Sequence, residues 1–359
     1  MSTREAVAIT GWKQKQAWDK RALPPVEEVR PGLWSIPVPM GSNPLRYSYA
    51  YAFVAADALV VVDPGWPASE SFEALAGGLA AAGRSPADVT GILVTHAHHD
   101  HFGLVDRLRE ASGAWVAMNS LDAELQILEG DDFAAILDAR REWLGRCGAD
   151  TEDALTHGSD LEIIKRSAVR TRCDRHLEDG ERIRVGRFDI QAIWTPGHSP
   201  GHMVFHERTQ RILLSGDHVL PRITPNISAF VGGQSNCLRS YLESLRKIRK
   251  LEVTEVLPGH GYRFSGLPSR VDAIRSHHER RLVEISDVIG VDECATPWDI
   301  SARLTWSRPW SSITAFSRRA AVGETLAHLH LLQARGGVQL VDDGATWRWS
   351  RISPSGGRP

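Results

Sequence analysis

The pattern H-x-H-x-D-H, made by His96, His98, Asp100 and His101, lies directly behind the apolar run Gly91-Ile92-Leu93-Val94. Neutral imidazole and ionised carboxylate suit a divalent zinc ion, with iron or manganese as poorer matches to the same set. On a tight loop after a strand, His96 and His98 can turn to one ion while Asp100 and His101 turn to a second. His99 fills the variable position of the pattern and has no ligand role in this reading. The plain alternative is a solvated loop that happens to be rich in histidine. Three candidate ligands further along the chain weigh against it.

These are His198 in Thr195-Pro196-Gly197-His198-Ser199, Asp217 in Leu214-Ser215-Gly216-Asp217-His218, and His260 in Leu257-Pro258-Gly259-His260-Gly261. Each follows a glycine and has an apolar or β-branched stretch just upstream. Glycine lets a chain leaving a strand turn sharply and approach an ion closely. With these residues in place, the chain resembles the metallo-β-lactamase-fold hydrolases, in particular their dinuclear glyoxalase II-like branch, over roughly residues 33 to 264. The resemblance implies two zinc ions per chain. His96, His98 and His198 would hold one, Asp100, His101 and His260 the other, and Asp217 would bridge both. It also implies hydrolysis by a bridging hydroxide, with Asp100 and Asp217 as the catalytic carboxylates, since such an ion pair makes hydroxide available near neutral pH. No G-x-S-x-G elbow offers a serine nucleophile instead.

Other residues are candidates for supporting these ligands. Asp63, in the turn Asp63-Pro64-Gly65, could orient a metal-bound histidine or cap the turn. His202 and His218 could be hydrogen-bond donors behind the site, leaving-group acids, or makers of ordinary structural hydrogen bonds. His277 and His278 could face the cleft or lie on a solvated helix face.

The elements that must position this chemistry follow from periodicity. Strands are expected at Leu33–Val38, Tyr49–Val54 and Ala58–Val62, the last two forming a hairpin around Ala56-Asp57. A helix over about residues 68–82 leads to the metal-bearing strand, another helix begins at Gly103, and Ala114–Met118 is again strand-like. Residues 120–170 read as a helical insertion over the site. Further strands are expected at Arg182–Val185, Phe188–Trp194, Met203–Glu207, Arg211–Leu214 and Val253–Leu257, with a helix over about 238–250 before the last. This order is mixed α/β; the four-layer αβ/βα metallo-β-lactamase sandwich comes from the resemblance. Residues 1–30 read as an N-terminal extension, 31–265 as the catalytic domain and 266–359 as a small C-terminal α+β domain. Its helices at about 269–289, 296–304 and 315–334, then a hairpin around Asp342-Asp343-Gly344, resemble a winged-helix domain.

A chain of 359 residues that is 42% hydrophobic and 24% charged is ordinary for a globular protein of about two domains. A net charge of −2 makes no field to gather a polyanion or an anionic membrane. From residue 266 onward, twelve arginines, no lysines and ten acidic residues leave a balance of +2. That is too little for a phosphate-tracking stripe, so no nucleic-acid partner is expected and an RNA endonuclease ranks low. Cys147, Cys173, Cys237 and Cys294 lack C-x-x-C spacing and read as small buried hydrophobes in a reducing compartment. The first residues lack an apolar h-region and no apolar run approaches about 18 residues, so we expect a cytoplasmic protein without membrane contact. The expected substrate is a small-molecule acyl ester or thioester. A lactone shares the whole ligand set. A β-lactam ranks low, because secreted β-lactamases carry a signal peptide and often lack an acid where Asp217 stands. Self-association into a homodimer is left open.

Overall fold

The computed structural model describes residues 7–41, 43–124, 132–149, 172–230, 236–290, 294–342 and 344–352. The chain divides into two compact units. One comprises Met1–Leu128, Arg166–Pro225 and Ser244–Ala273, the other Glu129–Lys165, Asn226–Glu243 and Ile274–Pro359.

The first unit holds two seven-stranded sheets. One runs through Glu27–Arg30, Leu33–Pro39, Tyr47–Val54, Leu59–Val62, Gly91–Leu93, Trp115–Met118 and Arg175–His176. The other runs through Ala8–Ile9, Phe264–Ser265, Glu255–Pro258, Ile212–Gly216, Met203–Glu207, Phe188–Trp194 and Arg182–Val185. Successive side chains of a strand point to opposite faces, and Tyr47–Val54 uses both. Tyr49, Tyr51 and Phe53 join a buried cluster with Phe188, Phe205, Leu214 and Leu257 of the other sheet. Ala50 and Ala52 join a second cluster with Leu75 and Leu79 of the helix Ser69–Ala81 and Val105 and Leu108 of the helix Val105–Ser112. With both faces covered, the strand is buried almost throughout. Sheet packed on sheet, with helices outside, is the layered α/β architecture that the resemblance implies.

Parallel pairing decides where the loops emerge. Leu59–Val62, Gly91–Leu93 and Trp115–Met118 are parallel neighbours, so their carboxyl ends share one edge. In the other sheet Ile212–Gly216 and Glu255–Pro258 are parallel neighbours. The crevice outside such carboxyl ends is where α/β sheets bind ligands. Asp63, the loop His96–His101, Asp217 and His260 all follow these strand ends. The Met203 N–H donates to the Thr95 carbonyl at 2.7 Å and joins the two sheets beside the loop.

Gly91 pairs with Trp115 in this ladder, and a Cβ at Gly91 would stand 2.2 Å from indole atoms of Trp115. Gly91→Ala therefore overpacks the sheet beneath the metal loop and should lower the unfolding free energy by about 1–3 kcal/mol, read by urea denaturation. An unchanged midpoint would mean that Trp115 moves aside at no cost.

Several elements differ from expectation. The N-terminal extension supplies an edge strand to each sheet, Ala8–Ile9 pairing with Phe264–Ser265 and Glu27–Arg30 with Leu33–Ser35. Segments this short carry no legible period, and Ala8–Ile9 finds its partner at the far end of the unit's sequence. The helix expected from Gly103 is Val105–Ser112, and a separate short helix, His99–Phe102, lies within the stretch expected to be a tight loop. Of the expected insertion, Ser120–Glu124 and Asp132–Arg146 are helical, while 125–131 and 150–171 lie outside the described residues.

In the second unit, Thr296 caps the helix Pro297–Arg303 by accepting from the Asp299 N–H while Asp299 reaches back to Thr296, a reciprocal cap. Ser301 Oγ donates to Thr325 Oγ1 of the helix Ala315–Ala334 at 2.8 Å. A three-stranded sheet of Cys294–Ala295, Trp347–Arg351 and Val338–Asp342, in that order, belongs to the same unit. His278 is buried there with its Nδ1 3.1 Å from His328 Nε2, so it is not on a solvated face. Among the described residues no helix is long and apolar enough to cross a membrane. All four cysteines are free. Cys147 and Cys237 are buried as expected, whereas Cys173 is half-buried and Cys294 exposed.

Candidate metal centre

The seven ligand candidates come together. His96 Nε2, His98 Nδ1 and His198 Nε2 converge, with His98 Nδ1 3.0 Å from each of the other two. Asp100, His101 and His260 form a second group and His96, His101 and Asp217 a third, the ligand atoms of each lying within 4.8 Å of one another. Asp217 stands between them. Its Oδ1 is 3.5 Å from His101 Nε2, and its Oδ2 is 3.5 Å from His260 Nε2 and 3.7 Å from His198 Nε2. Asp100 Oδ2 is 3.1 Å from His260 Nε2 and 3.8 Å from His101 Nε2. His99 is outside these groups.

Hydrogen bonds behind the rings decide which nitrogen faces the centre. His101 Nδ1 donates to Asp63 Oδ2 at 2.8 Å. Thr95 Oγ1 donates to the same oxygen at 2.7 Å and lies 3.0 Å from His96 Nδ1. With its hydrogen directed to Asp63, Thr95 Oγ1 accepts from His96, so His96 Nδ1 carries the proton. His260 Nδ1 donates to the Tyr47 carbonyl at 2.9 Å. All three rings therefore turn Nε2 inward, the orientation that a carboxylate or carbonyl behind an imidazole imposes on a metal ligand. Asp63 Oδ1 also accepts from the Thr95 backbone N–H at 2.7 Å, so both of its oxygens face the ligand loop.

Among the described residues, His101 Nε2, His260 Nε2 and Asp217 Oδ1 are buried without a hydrogen bond. Such atoms cost about 1–3 kcal/mol each when left so, and ligation of a dication would offset that cost. Burial holds the His96 imidazole well below its usual value, hence neutral. Burial opposes the charged forms of His101 and His260 as well, but the carboxylates prevail. Asp100, Asp217 and Asp63 hold His101 well above its usual value, and Asp217 with Asp100 raises His260 to about 10. Positive charge is thus drawn to this spot. A donor set of imidazole and carboxylate without thiolate fits zinc best. His98 is exposed, and His198 and Asp100 are half-buried.

The glycines beside the ligands permit the crowding. A Cβ at Gly259 would stand 2.6 Å from Asp217 Oδ1 and 2.7 Å from His101 Cε1. One at Gly216, whose φ is +47°, would stand 2.8 Å from Thr95 Oγ1. His202 Nε2 accepts from the Asp217 N–H at 3.3 Å while its Nδ1 meets Thr195 Oγ1 at 2.9 Å, so both of its nitrogens are engaged in holding backbone and loop. His218 is fully buried, and burial pulls its imidazole down to about 3, which keeps it neutral and unfit as an acid near pH 7. The sequence does not mark Thr95 or Asp122. Thr95 merely precedes the pattern, and Asp122 reads as an ordinary acid in the first turn of Ser120–Glu124.

A model of the metallo-beta-lactamase superfamily matches residues 43–260, more than half of the chain and all seven ligand candidates. The chain belongs to the metallo-β-lactamase superfamily. It is 24% identical over 337 residues to the "Beta-lactamase-like protein 2 homolog" of Caenorhabditis elegans, covering 92% of this chain and 94% of that protein. It is 25% identical over 310 residues to the "Probable metallo-hydrolase YqjP" of Bacillus subtilis, covering 82% and 90%. Among solved structures it is similar to a beta-lactamase domain protein from Burkholderia ambifaria, with a TM-score of 0.79 and 26% identity over 98% of this chain and 99% of that one. Membership makes this chain a metallo-hydrolase that uses divalent metal, and the His/Asp cluster is its candidate site.

Proposed function

We propose that this metallo-hydrolase is a dinuclear zinc enzyme that cleaves a carboxylic ester or thioester of a small acyl substrate. Asp217 carries the proposal, a buried carboxylate whose Oδ2 approaches both His198 and His260 while its Oδ1 faces His101. His96, His98 and His198 would hold one zinc, and Asp100, His101 and His260 the other. Bound there, zinc supplies Lewis acidity toward a carbonyl oxygen and lowers the pKa of water toward neutrality. Asp217 fixes the two groups of imidazoles at one separation. Its negative charge also tempers the pull on a leaving group, which favours a thiolate or alkoxide over a β-lactam nitrogen. Asp100 stays ionised because His101 and His260 outweigh its burial, so its half-buried carboxylate would help hold the cation and could orient a water by accepting a hydrogen bond. Asp63 and the Tyr47 carbonyl keep the imidazoles turned inward. A lactone, being an internal ester, places the same demand on these atoms and is the second reading. The helices and hairpin of the second unit support a winged-helix-like reading, and the near-neutral charge from residue 266 onward supports a small molecule over a nucleic acid as partner.

Elemental analysis of protein purified without chelator should find about two zinc ions per chain. On that preparation kcat/KM is measured for an acyl thioester, an aryl ester, a lactone, a cephalosporin and single-stranded RNA. The thioester or aryl ester is expected to lead. A cephalosporin leading by a wide margin would sink the proposal, and a leading lactone would transfer it to the second reading.

A further inference from the structure

We propose that Asp122 is a positioning residue that holds the three-histidine half of the metal centre together, an inference that rests on reading the site as a two-metal centre. Asp122 is fully buried. Its carboxylate takes its hydrogen bonds from the two loops that bear His96, His98 and His198. Oδ2 accepts from the Ala97 N–H at 2.9 Å and from Ser199 Oγ at 2.6 Å, and Oδ1 accepts from the Gly201 N–H at 2.5 Å. Ala97 lies between His96 and His98, and Ser199 directly follows His198. The first loop follows Gly91–Leu93 in one sheet and the second follows Phe188–Trp194 in the other, so one carboxylate spans the two sheets at the point where three ligand nitrogens must meet. A buried carboxylate is costly unless its oxygens are satisfied, and here each donor comes from a ligand loop. The approach is close, since a Cβ at Gly201 would stand 2.7 Å from Asp122 N and 2.8 Å from its Oδ1. The other half of the centre is held differently, His101 by Asp63 and His260 by the Tyr47 carbonyl.

Asp122→Asn places an amide N–H2 where an acceptor now meets a donor, so at least one of the three bonds is lost. The test uses two backgrounds and measures zinc affinity by competition with a chromophoric chelator. In His260→Ala, which disables the second group, Asp122→Asn should weaken the remaining three-histidine site by about 10–100-fold, the scale for losing support behind a ligand. In His98→Ala, the same substitution should leave the remaining site within about twofold, as for independent positions. Ser199→Ala removes one bond and keeps the carboxylate; it should weaken the first site in the same direction by about 3–10-fold. The visible spectrum of the cobalt-loaded Asp122→Asn protein should shift, and the metal-free protein should melt somewhat below its parent, since a buried donor loses its acceptor. If Asp122→Asn does not fold, Ser199→Ala decides alone by the same criterion. Unchanged affinity in the His260→Ala background, or equal weakening in both backgrounds, overturns the proposal. A wild-type chain that takes up no zinc removes the two-metal reading and this proposal with it.

Discussion

Asp217→Asn should lower kcat/KM for an acyl thioester or ester by about 10² or more, a loss of at least about 2.7 kcal/mol of transition-state stabilisation. The carboxylate is engaged on both oxygens, Oδ1 at 3.5 Å from His101 Nε2 and Oδ2 at 3.5 Å from His260 Nε2 and 3.7 Å from His198 Nε2. An amide keeps the shape but loses the charge, and one ligand oxygen becomes an N–H2 group that cannot coordinate a cation. It also removes the carboxylate that does most to raise His260. Both halves of the centre are therefore loosened by one isosteric change. Steady-state kinetics and elemental analysis on the same preparation check this. Full turnover with two zinc ions retained would show that Asp217 is a bystander, and the ester and thioester assignment would lose its support.

His98→Ala should abolish metal uptake at the three-histidine group and reduce turnover by about 10² to 10³, because an open site loses both the ion and the activation of water that it supplies. His98 is the informative choice among the three. His96 is fully buried, so its truncation also leaves a cavity, whereas His98 is exposed and its removal costs the core little. Its Nδ1 nonetheless lies 3.0 Å from both His96 Nε2 and His198 Nε2, at the middle of the trio. Zinc content is expected to fall to about one per chain, with a melting temperature for the metal-free form close to that of the parent. A variant that stays fully active without its first metal would exclude the mechanism; one that unfolds would assign His98 to stability instead.

His96, His98, Asp100 and His101 are legible as candidate ligands because they are local, donors crowded onto one stretch behind an apolar strand. His198, Asp217 and His260 bear a similar local mark, a glycine that lets the chain turn and approach, and Gly216 and Gly259 are indeed positions where a Cβ would collide with Thr95, Asp217 or His101. The mixed α/β order is legible too, in apolar strands alternating with helices, whereas the layered sandwich is implied only by the resemblance; strands such as Tyr47–Val54 are covered on both faces and are accordingly apolar or aromatic almost throughout. The sequence by itself therefore determined the donor types, the loops that bear them and the class of architecture. Which imidazoles share a group was implied only by the resemblance, and the tertiary structure alone decided which ring nitrogen faces inward and what stands behind each ring. Asp63 is 38 positions from His101, Asp122 is 77 from Ser199, and Tyr47 is 213 from His260. His278 could be placed on a solvated face or in a cleft by its helical position, yet it is buried against His328, 50 positions away. A supporting hydrogen bond leaves no period and no spacing in a sequence, because any carboxylate, hydroxyl or peptide carbonyl can accept it. Which one does is set by strands that become neighbours only when the sheets form.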